Sequence, residues 1–177
     1  MSETAAEHKA EAPKKLNFAI IVCSTSRYEQ VKLTGKVDDP SGDLIAQILK
    51  QNGHDVVYRT IVPDQEVLIK QSVKEALESS QADAIITCGG TGISPTDVTI
   101  ETVKRLLDKE ISGFGETLRR LSYEQIGSAS ILTRAIAGTS NGKTVFCLPG
   151  SPQAVSLALE KLILPEAGHI IKHARGK

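Results

Sequence analysis

AIITCGGTGISPTDVT, residues 84–99, decides how the rest of the chain is read. Ala84 to Thr87 belongs to a short apolar run, as expected of a strand covered on both faces. It empties into Gly89-Gly90-Thr91-Gly92, then Ser94-Pro95-Thr96-Asp97, and a helical pattern follows from about Val98 to Leu107. Strand, glycine turn and helix form the repeating unit of an α/β fold with a parallel sheet. Three glycines in four residues also strip side chains from the turn, so a ligand can approach the backbone. A tight turn with positive φ accounts for one glycine readily, but less well for three. Exposed amides beside a positive helix end would instead suit an anion. Pro95 stands where the third glycine of G-x-G-x-x-G would be, so the stretch is not the dinucleotide fingerprint.

Toward the N-terminus, Asn17 to Cys23 (NFAIIVC) is another apolar run of strand length. The polar stretch 24–42 after it reads as a long loop, and long loops in compact domains are often functional. Ser41 is expected to cap a helix that carries Leu44, Ile45, Ile48 and Leu49 and stops at Gly53. Val56 to Val62 is a strand broken by Pro63-Asp64, and Ile69, Val73, Ala76 and Leu77 mark the next helix. Toward the C-terminus a helix is expected around Glu116 to Glu124. Ser130–Ala137 and Lys143–Leu148 read as two strands joined through Thr139 to Gly142. Ser151-Pro152 opens the last helix, which Pro165 should end or kink.

The order β-α-β-α-β-α, hairpin, α predicts a three-layer αβα fold with a mostly parallel sheet. The strand carboxyl ends then meet at one edge, where ligands bind such sheets, and the loops at Ser24, Pro63, Gly89 and Pro149 fall there. Residues 1–15, rich in charge and alanine, read as a flexible tail, and residues 16–177 as a single domain.

Composition narrows the function classes. In 177 residues, Lys plus Arg and Asp plus Glu each total 21, and 40% of residues are hydrophobic. A balanced charge argues against a nucleic-acid or membrane-surface binder, and 3% aromatics with no Trp leaves no base-stacking platform. No apolar stretch is long enough to cross a bilayer and no signal-peptide core is present, so a cytoplasmic protein is expected. Cys23, Cys88 and Cys147 have neither a C-x-x-C spacing nor a pairing pattern and read as buried reduced thiols.

Few residues look chemical. Gly138-Thr139-Ser140-Asn141-Gly142-Lys143-Thr144 imitates a P-loop but is one residue short and runs into a strand, so it reads as a hairpin turn with an exposed lysine. Asp97 suits the third position of a helix opened by Ser94-Pro95, and Asp64 suits a cap after Pro63. Both also lie at the predicted ligand edge. Carboxylates beside a phosphate site make sense where a hard cation such as Mg²⁺ bridges them. His169 and His173 could share a helix face, but their basic neighbours suggest cations at a helix C-terminus, and no third zinc ligand is evident. Arg119-Arg120 reads as a solvated helix face. No activated nucleophile is recognisable.

Four ordered motifs carry a resemblance: GGTG-x-S-P-x-D-V-T, then SGFGE at 112–116, ILTRA at 131–135 and LPGSP at 148–152. Over about residues 17–173 the chain resembles the MoaB/MogA family of molybdenum cofactor biosynthesis, and its length suggests the single-domain MoaB branch. The resemblance implies a three-layer α/β fold and assembly into trimers or hexamers. It implies a reaction in which the phosphate of molybdopterin attacks the α-phosphate of ATP, with Mg²⁺ as cofactor and pyrophosphate as leaving group. It makes Asp64 and Asp97 the catalytic, metal-holding acids. Gly89, Gly90, Thr91, Gly92, Thr133, Arg134, Pro149, Gly150 and Ser151 would line the nucleotide and pterin pocket, with Ser24, Ser26, Ser41 and Gly42 as further pocket residues. Here Ser24-Thr25-Ser26-Arg27 stands where members often have Ser-Asp, and Thr133 stands where many have Ser. A non-catalytic molybdopterin carrier or scaffold, acting with other proteins of the pathway, is the alternative. A nucleotide-metabolising relative of competence-damage-type proteins is more distant.

Overall fold

In the computed structural model, which describes residues 12–176, the run Asn17–Cys23 is strand β1. Its alternation explains its composition. Phe18, Ile20 and Val22 enter one core cluster, while Ala19, Ile21 and Cys23 enter the other. A strand with helices on both faces has no polar side. Strands β2 (Asp55–Val62), β3 (Ala84–Cys88), β4 (Lys109–Glu110), β5 (Ile136–Ser140) and β6 (Lys143–Leu148) complete one sheet of order β2-β1-β3-β6-β5-β4. β2, β1, β3 and β6 are parallel, whereas β5 runs antiparallel to both β6 and β4.

The helices are α1 (Thr25–Thr34), α2 (Pro40–Gln51), α3 (Glu66–Glu78), α4 (Thr99–Lys104), α5 (Ser112–Ile126), α6 (Pro152–Ala158) and α7 (Leu164–Ala174). α2, α5, α6 and α7 cover the Phe18 face, and α3 and α4 cover the Ile21 face. The three-layer αβα arrangement with a mostly parallel sheet is therefore present. Ile20, Ile21, Ile85 and Ile86 are fully buried on β1 and β3. Each contributes about 1.5–3 kcal/mol relative to exposure, so this central pair fixes the sheet more than edge strand β2, whose Val57 and Tyr58 are exposed. Among the described residues no helix is long and apolar enough to cross a membrane.

Five expectations about secondary structure are corrected. Residues 25–34 form α1 and not a loop; the helix buries no residue, so it shows no apolar face in the sequence. Its ends hold it: Ser24 Oγ accepts from the Arg27 amide, and Gly35 at φ 69° closes the last turn on Val31. Second, Ser41 does not cap α2. Asp39 does, accepting from the Gly42 amide at 3.1 Å, with Pro40 in the first turn. Buried Asp39 is held in turn by Arg59 Nη2 at 2.5 Å. Burial alone would lower the Arg59 pKa, but its hydrogen bonds to Asp39 and Asp43 outweigh this and raise it.

Third, Ser94 to Asp97 is a separate turn, with the Ser94 amide donating to Asp97 Oδ2 at 2.9 Å, and α4 starts only at Thr99. Fourth, of the expected strand 130–137 only 136–137 lie in β5, and 130–132 belong to a 3₁₀ turn, Gly127–Leu132. Fifth, Pro165 does not end the last helix. A π-helical segment, Leu159–Ile163, precedes it and α7 continues through. A wide turn just ahead of a proline, which cannot donate a backbone hydrogen bond, absorbs the mismatch.

The hairpin turns on Asn141 and Gly142, at φ 52° and 70°, as its Asn-Gly predicts. Lys143, expected to be exposed, donates instead to the carbonyls of Ala76 (3.2 Å) and Ser79 at the end of α3. Burial lowers its pKa. The three cysteines are free and buried. Burial pushes the thiols of Cys23 and Cys88 up to about 12, so neither is a thiolate nucleophile. Of the expected tail, residues 1–11 lie outside the described residues, while Lys15 pairs with Asp55 at 2.8 Å.

Candidate functional site

The carboxyl ends of β1, β2, β3 and β6 lie side by side, so the loops that follow them meet. The Gly89 amide donates to Leu148 O at 3.1 Å, and a Cβ on Gly89 would collide with the Cys23 carbonyl oxygen. Gly89 at φ 100° is thus required by backbone on both sides. Gly90, at φ 60°, is equally constrained from a third side. A Cβ there would lie 2.7 Å from Asp64 Oδ1 and against Thr99 Oγ1. Among the described residues no protein acceptor takes the amides of Gly90, Thr91 or Gly92.

These residues line a cavity of ≈ 400 Å³. One wall is Gly89 to Gly92 with Asp97; the second is Thr133 and Arg134; the third is Pro149, Gly150 and Ser151 with the first turn of α6. The fourth wall carries the apolar Ile126, Ala129, Leu132 and Leu157, with Ser122 and Gln125 beside them. The helix end facing the cavity is that of α6, capped by Ser151 Oγ on the Ala154 amide at 3.3 Å. It is not the helix after the glycines, which the Ser94–Asp97 turn holds away. A cavity with one polar, amide-lined side and one apolar side suits a ligand that joins an anion to a flat organic ring.

The residues singled out in the sequence divide into four groups. Gly89 to Gly92, Asp97, Thr133, Arg134 and Pro149 to Ser151 share the cavity. Ser41 and Gly42 lie behind its wall: Ser41 Oγ donates to Gly150 O at 2.7 Å, and Gly42 packs under Asp39. Ser24 and Ser26 sit at the start of α1, their hydroxyls 3.3 Å apart, and Ser24 caps that helix. Asp64 stands beside the glycine turn rather than in the cavity lining.

Asp64 is held tightly on one side only. Its Oδ2 accepts from the Thr25 amide (2.8 Å) and hydroxyl (2.9 Å). Its Oδ1 is buried without a partner, and so is Thr99 Oγ1, against the same face of Gly90. A buried carboxylate oxygen left without a donor is costly, by about 1–3 kcal/mol or more. The pair of bare oxygens is a seat suited to a hard cation, which one or two carboxylates hold while water and substrate phosphates complete the shell. Among the described residues no group of three or more His, Cys, Asp or Glu could hold a metal, so any ion here would depend on its ligand for part of that shell. Asp97 faces Gly92: a Cβ on that glycine would lie 2.7 Å from Asp97 Oδ2.

Arg134 ties the walls together. Nη1 donates to Gly92 O at 2.7 Å, and Nη2 pairs with Glu101. Burial would raise the Glu101 pKa, but the Arg134 hydrogen bond outweighs it and lowers the pKa. The residues not found from sequence are Thr25, Thr99, Ser122, Gln125, Gln153 and the apolar wall. Thr25 lay in the stretch taken for a loop. Thr99 could have been noticed as the hydroxyl ending the TDVT run. Nothing local marks Ile126 or Leu132, whose position depends on how the 3₁₀ turn folds over the cavity.

Residues 19–169 match the family described as a probable molybdopterin binding domain. The chain is 48% identical to a molybdenum cofactor biosynthesis protein B from Bacillus cereus, over 93% of this chain and 94% of that one. It is 46% identical to a Pyrococcus furiosus protein named molybdopterin adenylyltransferase, over 96% and 97% of the two chains. The fold superposes on a crystal structure of a molybdenum cofactor biosynthesis protein B with a TM-score of 0.85 at 45% identity, covering 94% of this chain and 100% of that one. The tungsten cofactor synthesizing protein MoaB from Pyrococcus furiosus gives 0.81 at 44% identity, over 93% and 99% of the two chains.

Proposed function

Because the chain belongs to the molybdopterin-binding family as a MoaB-type protein of molybdenum or tungsten cofactor biosynthesis, we propose that it is a molybdopterin adenylyltransferase. A phosphate oxygen of molybdopterin attacks the α-phosphorus of ATP. The new O–P bond forms as the bond to the bridging oxygen breaks, and pyrophosphate leaves. The attacking phosphate is already anionic at neutral pH, so no side chain has to remove a proton, and among the described residues the cavity lining holds no Cys or His. What the protein must supply is alignment and charge neutralisation.

The observation that carries this reading is the amide-lined turn Gly90–Gly92, with the bare Asp64 Oδ1 beside it. The amides and the first turn of α6 receive phosphate oxygens, and Arg134 fixes the loop at Gly92. The apolar wall takes the ring and excludes water. Asp64 and Asp97, with the Thr99 hydroxyl, would hold Mg²⁺, which when bound screens the two phosphate groups from each other. We also propose that the protein is cytoplasmic and, by the same resemblance, that it assembles as a trimer or hexamer, an assembly that light scattering measures.

The test is incubation of purified protein with molybdopterin, ATP and Mg²⁺, following adenylylated pterin and pyrophosphate. Stoichiometric formation of both is expected. Tight pterin binding without any consumption of ATP would instead make the protein a carrier.

A further inference from the structure

A second hollow, of ≈ 540 Å³, lies between edge strand β4 and helix α7, lined by Asp108, Glu110, His169 and His173. It includes Gly142, which precedes β6, so it lies at the opposite end of that strand from the candidate site. The two histidines stand one turn apart on α7. Their Nε2 atoms face each other at 3.0 Å, with the rings inclined by 58°. Two imidazole nitrogens so placed cannot both carry a hydrogen; between them they share one proton or one metal ion.

The neighbouring carboxylate bears on that choice. Glu166 Oε2 lies 3.2 Å from His169 Nδ1, which places the proton of a neutral His169 on Nδ1. His169 Nε2 is then a lone-pair donor directed at His173. A carboxylate behind a histidine, fixing its tautomer, is the usual support of a metal-bound imidazole. The spacing agrees. With metal–nitrogen bonds of about 2.1 Å, two donors at a right angle stand about 3.0 Å apart, and two at the tetrahedral angle about 3.4 Å. The observed separation matches the right angle, as in tetragonal or octahedral shells.

We propose that His169 and His173 form an open chelating site for a divalent transition metal, with Glu166 as the positioning residue for His169. Imidazole nitrogens select borderline ions over Mg²⁺, and the bite angle together with the order of intrinsic affinities favours Cu²⁺ and Ni²⁺ over Zn²⁺. Among the described residues no group of three His, Cys, Asp or Glu side chains could hold a metal, so the chelate is proposed on the histidine pair itself.

The experiment titrates untagged, metal-free full-length protein with Cu²⁺ at pH 8, by calorimetry and electron paramagnetic resonance, and repeats the calorimetry with Ni²⁺ and Zn²⁺. One tight equivalent of Cu²⁺ showing hyperfine coupling to two imidazole nitrogens is expected, with Zn²⁺ weaker. His169→Ala and His173→Ala should each weaken binding about tenfold or more, and Glu166→Gln about tenfold, with circular dichroism unchanged. The proposal is overturned if either histidine variant keeps its affinity within about twofold, or if fewer than two nitrogens couple to the bound Cu²⁺. Because the assay reads metal and not adenylylation, its result is independent of the proposed enzyme activity.

Discussion

Two glycine-rich turns, Gly89–Gly92 and Gly138–Lys143, look alike in sequence and behave differently in the fold. Both hold threonines and residues of positive φ. In the first, an added Cβ would strike the backbone of Cys23 at position 89, and Asp64 and Thr99 at position 90. In the second, a Cβ on Gly142 at the tip would make ordinary contacts with the Arg175 side chain at 3.5 Å and the Ala174 carbonyl oxygen at 3.9 Å, whereas one on Gly138, within β5, would strike Leu107 and the Lys109 carbonyl oxygen. The first turn is bare because protein groups crowd it from three strand ends while its amides face a cavity. At its tip, Asn141-Gly142, the second needs glycine only to reverse the chain, and Gly138 is there to let β4 and Leu107 come close. Glycine count does not distinguish a binding turn from a hairpin; amides without a protein acceptor beside a cavity do.

Substitutions can break this contrast. The largest effect is expected from Gly89→Ala, which forces a side chain onto backbone at a φ that L-residues avoid. A stability loss of about 3 kcal/mol or more should appear in urea unfolding, with pterin binding lost as well. Asp64→Asn keeps the shape but removes the charge. It should fold and bind pterin normally while turnover falls about 10²–10³-fold, measured by pyrophosphate release. Thr99→Val removes the hydroxyl beside Asp64 Oδ1. Turnover should fall about tenfold and Thr99→Ser should restore it; equal activity in Val and Ser variants would assign Thr99 to packing alone. The smallest effect belongs to the other turn. Gly142→Ala should cost about 1 kcal/mol in stability, from the left-handed φ alone, and leave turnover unchanged.

Much of this was legible in the chain. The apolar runs at Asn17 and Ala84 gave doubly covered strands because both their faces are buried. Asn141-Gly142 and Ser151-Pro152 act locally, so the hairpin and the last helix start where local rules place them. Helix α1 was not legible, since it buries nothing and is held by its caps, by Thr25 on Asp64 and by Arg27 on the Asp38 carbonyl. Ser94-Pro95-Thr96-Asp97 misled because the same residues that open a helix also close an isolated turn. In the site, the glycines, Asp64 and Asp97 stood out by residue type and place at the sheet edge. The apolar wall and the partners Thr25 and Thr99 did not, because their roles exist only once distant loops are packed together. The bare Asp64 Oδ1 could not have been read from any spacing.

The most direct measurement is a crystal of the protein soaked with molybdopterin and a non-hydrolysable ATP analogue. The account predicts phosphate oxygens within about 2.7–3.2 Å of the Gly90, Thr91 and Gly92 amides, with the pterin against Ile126 and Leu132. Phosphate density in another hollow, with the space beside Gly90 to Gly92 filled only by solvent, would contradict it.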